Sequence, residues 1–421
     1  MRYLFVLFAF TASIALADDL RFASSPKATM STDDQIEIYQ RWAKADPANI
    51  QTQTLLAAAY IQKTRETADP GYLERSDALV HRVLEKQPKN YEAWRLRNII
   101  ELTRHHFAVA ADYSRQLTTW LPSDPQNWGT LGDALMELGK YDDASKAYNQ
   151  MAAIKSNLFS LNRLAYYKFV TGDAPGALIT MGQAVEASAP YPENKAWCLA
   201  DLGSMYFKSG KLDDAERSYR EAIAAFPGQH QAHAGLGAVL AARGKNPEAI
   251  ESYLKAQAIV PLPQYAGALS DLYRTEGNTA EAKKQDANVD MIARLEEAVG
   301  QKANRTLALI YANQGRNLER AQSLAEADLE LRHDIYTWDA FSWVQFKRGH
   351  MEEARKASQE ALKTGAKEPL LLYHAGIIEN SAGNPEAARK LLESALALNP
   401  RFDLVQAANA RKTLAEMPAQ H

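Results

Sequence analysis

The side chains that could do chemistry lie in a few short stretches. "HQAH" (230–233) sets His230 and His233 three residues apart on one helix face, which is half of a zinc-type site. "RHHF" (104–107) adds a second histidine pair, His105 and His106. Carboxylates gather in "LDDAE" (212–216) and "MEEAR" (351–355). Acid–base catalysis needs such a group matched with a partner across a pocket. The single cysteine, Cys198, stands between Trp197 and Leu199 with no cationic neighbour to lower its thiol pKa, so it reads as a small packed residue. No glycine-rich phosphate loop, CxxC or HExxH occurs. The histidine pair has no third ligand in the sequence. The carboxylates open candidate helices, where they favour the positive end of the helix dipole.

The elements that would position these groups form a repeat. Gly139, Gly172, Gly210, Gly244, Gly277, Gly315, Gly349 and Gly383 follow one another at 33, 38, 34, 33, 38, 34 and 34 residues. Each ends one amphipathic segment just before the next begins, a place where positive φ favours glycine. His105 occupies the same slot 34 residues before Gly139. Seven residues before the marker stand Gly132, Ala165, Gly203, Gly237, Ser270, Ala308, Ser342 and Gly376. Five after it come Ala144, Ala177, Ala215, Ala249, Ala282, Ala354 and Ala388. Nine after it come the larger Tyr148, Met181, Tyr219, Tyr253 and Leu392, with Asp286 and Ser358 as exceptions. Small residues at fixed places predict close helix approach. Pro122, Pro227, Pro261 and Pro400 close units. His233 falls on a packing place of this pattern, and His105 on the glycine slot, so both read as structural.

The unit resembles the tetratricopeptide repeat, a 34-residue helix–turn–helix. Residues 127–151 carry that pattern in Trp128, Leu131, Gly132, Leu135, Gly139, Tyr141, Ala144 and Tyr148, and residues 202–227 in Leu202, Gly203, Tyr206, Ala215, Tyr219, Ala222 and Pro227. The resemblance covers roughly residues 33–402. It implies an all-α, right-handed superhelical solenoid of about ten such repeats. The units run 50–90, 91–124, 125–157, 158–195, 196–229, 230–262, 263–300, 301–334, 335–368 and 369–402. A partial unit with Ser31 and Thr32 as capping candidates precedes them, and "FDLVQAANARKTLAEM" (402–417) reads as a C-terminal capping helix. The expected organisation is a leader at 1–17, a flexible segment at 18–30, the solenoid at 31–402, and cap and tail at 403–421. Asp69-Pro70-Gly71 predicts an extended loop within 63–77, and the unit 263–300 a longer second helix near 280–299. "VPLPQY" (260–265) reads as a hinge or as an inter-repeat turn.

With the marker glycine as place 15, places 2, 5, 9 and 12 form one stripe of the first helix, because their spacing fits a 3.6-residue turn. The family resemblance implies that this stripe lines the concave surface. It carries Phe159, Asn162, Tyr166 and Phe169, then Trp197, Ser204 and Phe207, then Tyr336, Asp339, Trp343 and Phe346, then Tyr373. The unit 230–262 offers only Gln231, Ala234, Ala238 and Ala241. These twelve candidates are either accessible anchors for a protein partner or core residues of a tight superhelix. Some relatives of this type bind a C-terminal carboxylate through basic groove residues. Here Lys208, Arg274, Lys302, Arg305 and Lys347 are scattered and reproduce no such clamp.

The opening "MRYLFVLFAFTASIALA" has a basic residue, an apolar run from Leu4 to Leu16 and Ala15-Leu16-Ala17, the pattern of a secretory signal cleaved after Ala17. Its loss leaves 47 basic against 51 acidic side chains, a formal charge of −4, and no electrostatic case for nucleic acid. No later stretch reads as membrane-spanning, and one cysteine excludes an intrachain disulfide. The expected function is a non-catalytic scaffold, secreted or periplasmic, without cofactor or metal, that binds a protein or peptide segment. A component of a polysaccharide-export or outer-membrane assembly machine, and an enzyme with a dispersed site, are the alternatives.

Overall fold

The computed structural model describes residues 30–67, 69–188, 192–298 and 303–417. The expected leader at 1–17, most of the segment that follows it, and the tail beyond 417 lie outside the described residues. Within them the chain is all-α. Helix α1 (Thr32–Ala45) is followed by the hairpins α2–α3 (Ile50–Thr67, Pro70–Lys86), α4–α5 (Tyr91–Thr103, Phe107–Trp120) and α6–α7 (Pro125–Glu137, Tyr141–Ile154). Then come α8–α9 (Leu158–Val170, Ala174–Glu186), α10–α11 (Pro192–Lys208, Leu212–Ala225), α12–α13 (His230–Ala242, Asn246–Ile259) and α14–α15 (Pro263–Thr275, Thr279–Ala298). The series ends with α16–α17 (Arg305–Gln314, Leu318–Leu331), α18–α19 (Ile335–Lys347, Met351–Leu362), α20–α21 (Pro369–Ser381, Pro385–Leu398) and α22 (Gln406–Glu416). The chain divides into two compact units, one ending at Arg163 and the other beginning at Leu164.

Local chemistry sets the boundaries. Ser31, Asp69, Asn90, Asp124, Asp173, Asn304 and Asp334 cap helix N-termini with a side-chain oxygen on a backbone N–H. All eight marker glycines have positive φ, and His105 adopts the same region at φ 63°. The turn lets the next N–H reach back five residues instead of the helical four. Lys140 N–H donates to Leu135 O at 2.8 Å, and Lys211, Lys245 and Asn384 repeat this bond at 2.9 Å. Asp213 and Asp214 sit in the first turn of α11, and Glu352 and Glu353 in that of α19, as expected of dipole partners.

Packing within hairpins follows the small and large places. Ala144, Ala177, Ala215, Ala249, Ala354 and Ala388 are fully buried. A Cβ on Gly203 would lie 2.8 Å from the Tyr219 ring, on Gly237 2.7 Å from Tyr253, and on Gly376 2.8 Å from Leu392. The large side chain of each second helix thus rests on bare backbone of the first. At the first unit's α4–α5 hairpin the pair is polar instead: Asn98 Nδ2 donates to Ser114 Oγ at 2.8 Å.

One expectation changes. The stretch 63–77 is no extended loop, because α2 continues to Thr67 and α3 starts at Pro70, with Asp69 accepting from Gly71 N–H. The Asp-Pro-Gly signal marks a capped helix start there, with proline at the first helical position where its missing N–H costs nothing. "VPLPQY" is an inter-repeat turn that begins α14 at Pro263. Helix α15 is long, as expected, over Thr279–Ala298. Helix α22 packs on α20 and α21 and covers their open side.

Gly203→Ala should lower stability by about 1–3 kcal/mol through the Tyr219 ring. Gly182→Ala, in a helix where nothing lies within 4 Å of the added carbon, should raise it slightly. Urea-unfolding midpoints of the two variants would check the contrast, and equal shifts would remove the packing argument.

Candidate functional site

In the first unit, α8 contributes Phe159 and Asn162, both buried. One turn later Arg163 makes a two-pronged pair with Asp133, Nε to Oδ1 at 2.8 Å and Nη2 to Oδ2 at 2.7 Å. Tyr148 Oη donates to the same Asp133 Oδ1 at 2.9 Å. Burial works against the Arg163 charge, but the facing Asp133 carboxylate holds its pKa above the ordinary value. Phe159 and Asn162 therefore stand beside a saturated interior network.

The second unit holds the other ten candidates. Phe169, Asp339, Trp343 and Tyr373 are buried, while Tyr166, Trp197, Ser204, Phe207, Tyr336 and Phe346 keep part of their surface. Trp343 is the centre of one cluster. Its ring stacks on His374 at 4.1 Å and on Phe346 at 5.1 Å, and Tyr373 packs at 5.8 Å. Trp343 Nε1 donates to Asn313 Oδ1 at 2.7 Å, and Gln406 Nε2 of α22 donates to the same oxygen at 3.0 Å. His374 Nδ1 meets Asp339 Oδ2 at 2.9 Å, which fixes the imidazole orientation. Lys347 lies 4.8 Å over the Trp343 ring, and burial lowers its pKa.

A second group gathers at Lys208, at the end of α10. Its Nζ lies 2.8 Å from Glu368 Oε2, 5.1 Å from the Tyr336 ring and 5.7 Å from the Phe169 ring. Burial and the nearby Glu368 push the Tyr336 phenol well above its ordinary pKa, so it stays protonated and donates to Glu368 at 3.3 Å. Around it the backbones touch. Asn399 Nδ2 donates to Phe207 O at 2.7 Å, and Arg401 Nη1 to Ala242 O at 2.8 Å. A Cβ on Gly172 would lie 2.5 Å from Gly365 O, and one on Gly210 would collide with Leu398 O. The marker turns after α8 and α10 thus press on the ends of α19 and α21. The second unit closes its first-helix stripe on itself, so Phe169 and Tyr336 serve that closure.

The other sequence signals resolve into structure. His233 Nε2 lies 3.0 Å from Pro227 O, in the same place where Trp94 and Trp128 donate to Pro88 O and Pro122 O. His230 Nδ1 meets Tyr265 Oη at 2.7 Å, and burial, with His233 second, lowers its pKa to about 4. The two histidines thus turn to different partners. Among the described residues no group of three or more His, Cys, Asp or Glu is arranged to hold a metal. Cys198 is buried. Arg274 pairs with Asp271 and Asp286, and Arg305 with Asp334, while Lys302 lies outside the described residues. The residues that sequence reasoning missed are Glu368, His374, Asn313 and Asn399. Of these only His374, one position after the candidate Tyr373, lay near the stripe.

Tetratricopeptide-repeat models match residues 200–262 and 340–414, and another of the same description matches 125–157. No curated protein matches the chain in sequence. Solved structures that align with this chain include yeast Tom70, at 12% identity and TM-score 0.39, covering 91% of this chain and 92% of that one. Human IFIT1, solved as a dimer with PPP-AAAA, aligns at 14% identity and TM-score 0.48 over 88% and 96% of the two chains. PilW, described as a widely conserved type IV pilus biogenesis factor, aligns at 17% identity and TM-score 0.42 over 48% and 92%. No helix among the described residues is long and apolar enough to cross a membrane.

Two measurements test this geometry. Gly210→Ala and Gly244→Ala share the same φ, +74° and +73°, but only the first meets a neighbour. Gly210→Ala should therefore cost about 1–3 kcal/mol more in thermal or urea unfolding, and equal costs would remove the closure. For His230 the folded pKa lies below the unfolded one, so the unfolded chain binds more protons in between. Its contribution is complete above about pH 6.5 and is lost as pH falls through about 4. His230→Gln should therefore lose less stability than the parent between those values, by about 3 kcal/mol, in melts followed by circular dichroism.

Proposed function

We propose that this chain, which carries tetratricopeptide repeats, is a non-catalytic scaffold that is exported and binds a segment of a partner protein through its first-helix stripe. The observation that carries the reading is the division of labour in each hairpin. Packing is served by the alanine and glycine places and the large residues that meet them. The stripe is left to vary, and it varies toward aromatics that keep part of their surface: Tyr166, Trp197, Phe207 and Phe346. Half-buried aromatic rings offer large apolar area at small entropic cost, which is the character of interface anchors. The closure around Lys208 and the cluster around Trp343 narrow this reading. Phe169, Trp343 and Tyr373 support the fold, and the partly open rings bear the contact. Export rests on the leader pattern of residues 1–17.

Expressed with its own N-terminus, the exported protein should have a mass that starts at Asp18. In pull-downs from an envelope extract, Tyr166→Ala and Phe346→Ala should lose the captured partner while the helical melt moves little. Trp343→Ala should unfold the second unit instead, at a cost of about 3–5 kcal/mol. Retained capture by both Tyr166→Ala and Phe346→Ala would take the stripe out of the function. A mature mass that includes residues 1–17 would remove cleavage.

A further inference from the structure

Helix α21 carries two apolar stripes. Ala388, Leu392 and Ala395 are buried against its own unit. Ala387, Leu391, Ser394 and Leu398 recur at the spacing of a second helix face and, with Leu362 and Leu372, line an open groove of about 710 Å³. The charged side chains in its lining are Lys367 and Lys390, both exposed, and no carboxylate lines it. Glu393, on the same helix, faces Arg389.

The chain's own repeat shows how unusual this groove is. The corresponding groove over α6 and α7 is smaller, about 370 Å³, and its wall holds Arg115, Asp143 and Lys146. There Lys146 Nζ pairs with Asp143 at 2.8 Å and Arg115 with Asp112 at 2.7 Å, so the charges cancel locally. Four residues after the marker the chain places Asp143, Asp214, Glu248, Glu281, Glu319 and Glu353, but Val109 in α5, Gly176 in α9 and Ala387 in α21. Eight after it stand Ala147, Ser218, Ser252 and Ala357, but Leu391 in α21. Both departures act together: one leaves the groove wall beside Lys390 without the acid that Asp143 supplies beside Lys146, and the other adds apolar surface.

We propose that this groove docks an acidic amphipathic helix of a partner protein, its leucine-type residues on the apolar wall and its carboxylates on Lys367 and Lys390. From Ala387 to Leu398 the wall extends about 16 Å, the length of three helical turns. That length and the i, i+4, i+7 order of the wall fit a helix laid into a groove. Lys390 stands one turn in from one end and Lys367 beside the other, so carboxylates at both ends of the docked helix are matched. The inference rests on the scaffold reading but uses a different surface from the first-helix stripe.

The test uses the whole mature chain and a labelled synthetic helix of about 14 residues. The probe has leucines at i, i+3, i+4 and i+7 and glutamates at its ends, with a lysine-ended twin as control. Fluorescence anisotropy should show the acidic probe binding and the basic twin at least about tenfold weaker. Lys367→Glu with Lys390→Glu, both on exposed positions, should reverse that preference, and Leu391→Asp should abolish binding. Tyr166→Ala should leave it unchanged, which separates this groove from the stripe. Equal binding of the two probes, or indifference to the double lysine variant, would overturn the proposal. So would sedimentation of a dimer that Leu391→Asp disperses, which would make a second copy the occupant. Dodecanoate binding to the groove with no peptide binding would make the occupant a small amphiphile and overturn it as well.

Discussion

The ring of Tyr219 resting on bare backbone is the contact on which the rest of the second unit's stacking depends. Its edge lies where a Cβ on Gly203 would be, 2.8 Å away, and where a Cβ on Gly235 would collide with it. One side chain of α11 thus touches the first helix of its own hairpin and that of the next. Any larger residue at Gly203 or Gly235 would force the helices apart, and the neighbouring hairpins would lose the same contact geometry in turn. The contact within the hairpin recurs as Tyr253 on Gly237 and Leu392 on Gly376, and in the first unit as Tyr148 on Gly132. A repeat array transmits such a constraint because each hairpin buries its face only against its neighbours.

That economy leaves the first-helix stripe outside the packing code, and the second unit uses part of it for a long-range contact. Lys208 would be costly in a half-buried position alone. Glu368 at 2.8 Å and the faces of Tyr336 and Phe169 offset that cost, so the charge ties α10 to α18 and α20. Two bare turns make the tie possible. Gly172 and Gly210 lack the Cβ that would hold Gly365 and Leu398 at a distance. Marker glycines are thus used twice here, for their φ and for close approach, whereas at Gly244 and Gly277 only φ is at issue.

The hairpins and their turns were legible because they depend on local rules. Even His105 was placed in a glycine slot by spacing alone, and it takes positive φ. Helix α17 shows where spacing fails. Asn317 inserts a second left-handed residue after Gly315, so the helix starts one residue late and its buried alanine is Ala321, not the residue five after the marker. The stripe was found by periodicity, but its fate was not. Whether Trp343 is an anchor or a core residue depends on Asn313 and His374, on helices two elements away in either direction. Lys208 meets Glu368 across 160 residues of chain, and nothing in a local pattern records such a meeting.

The cap helix shows why polar bonds belong in this interior. Its buried apolar residues, Ala407 and Ala410, are small. Direction comes from Gln406, whose Nε2 shares Asn313 Oδ1 with the Trp343 indole. Phe402 adds a ring at 5.7 Å from Tyr373. Asn313 therefore reads two partners at once, one on α18 and one on α22, and only one register of the cap satisfies both. In a structure built from interchangeable hairpins, the array has no intrinsic end. A side-chain amide that accepts from the last helix and from the stack beneath it supplies one.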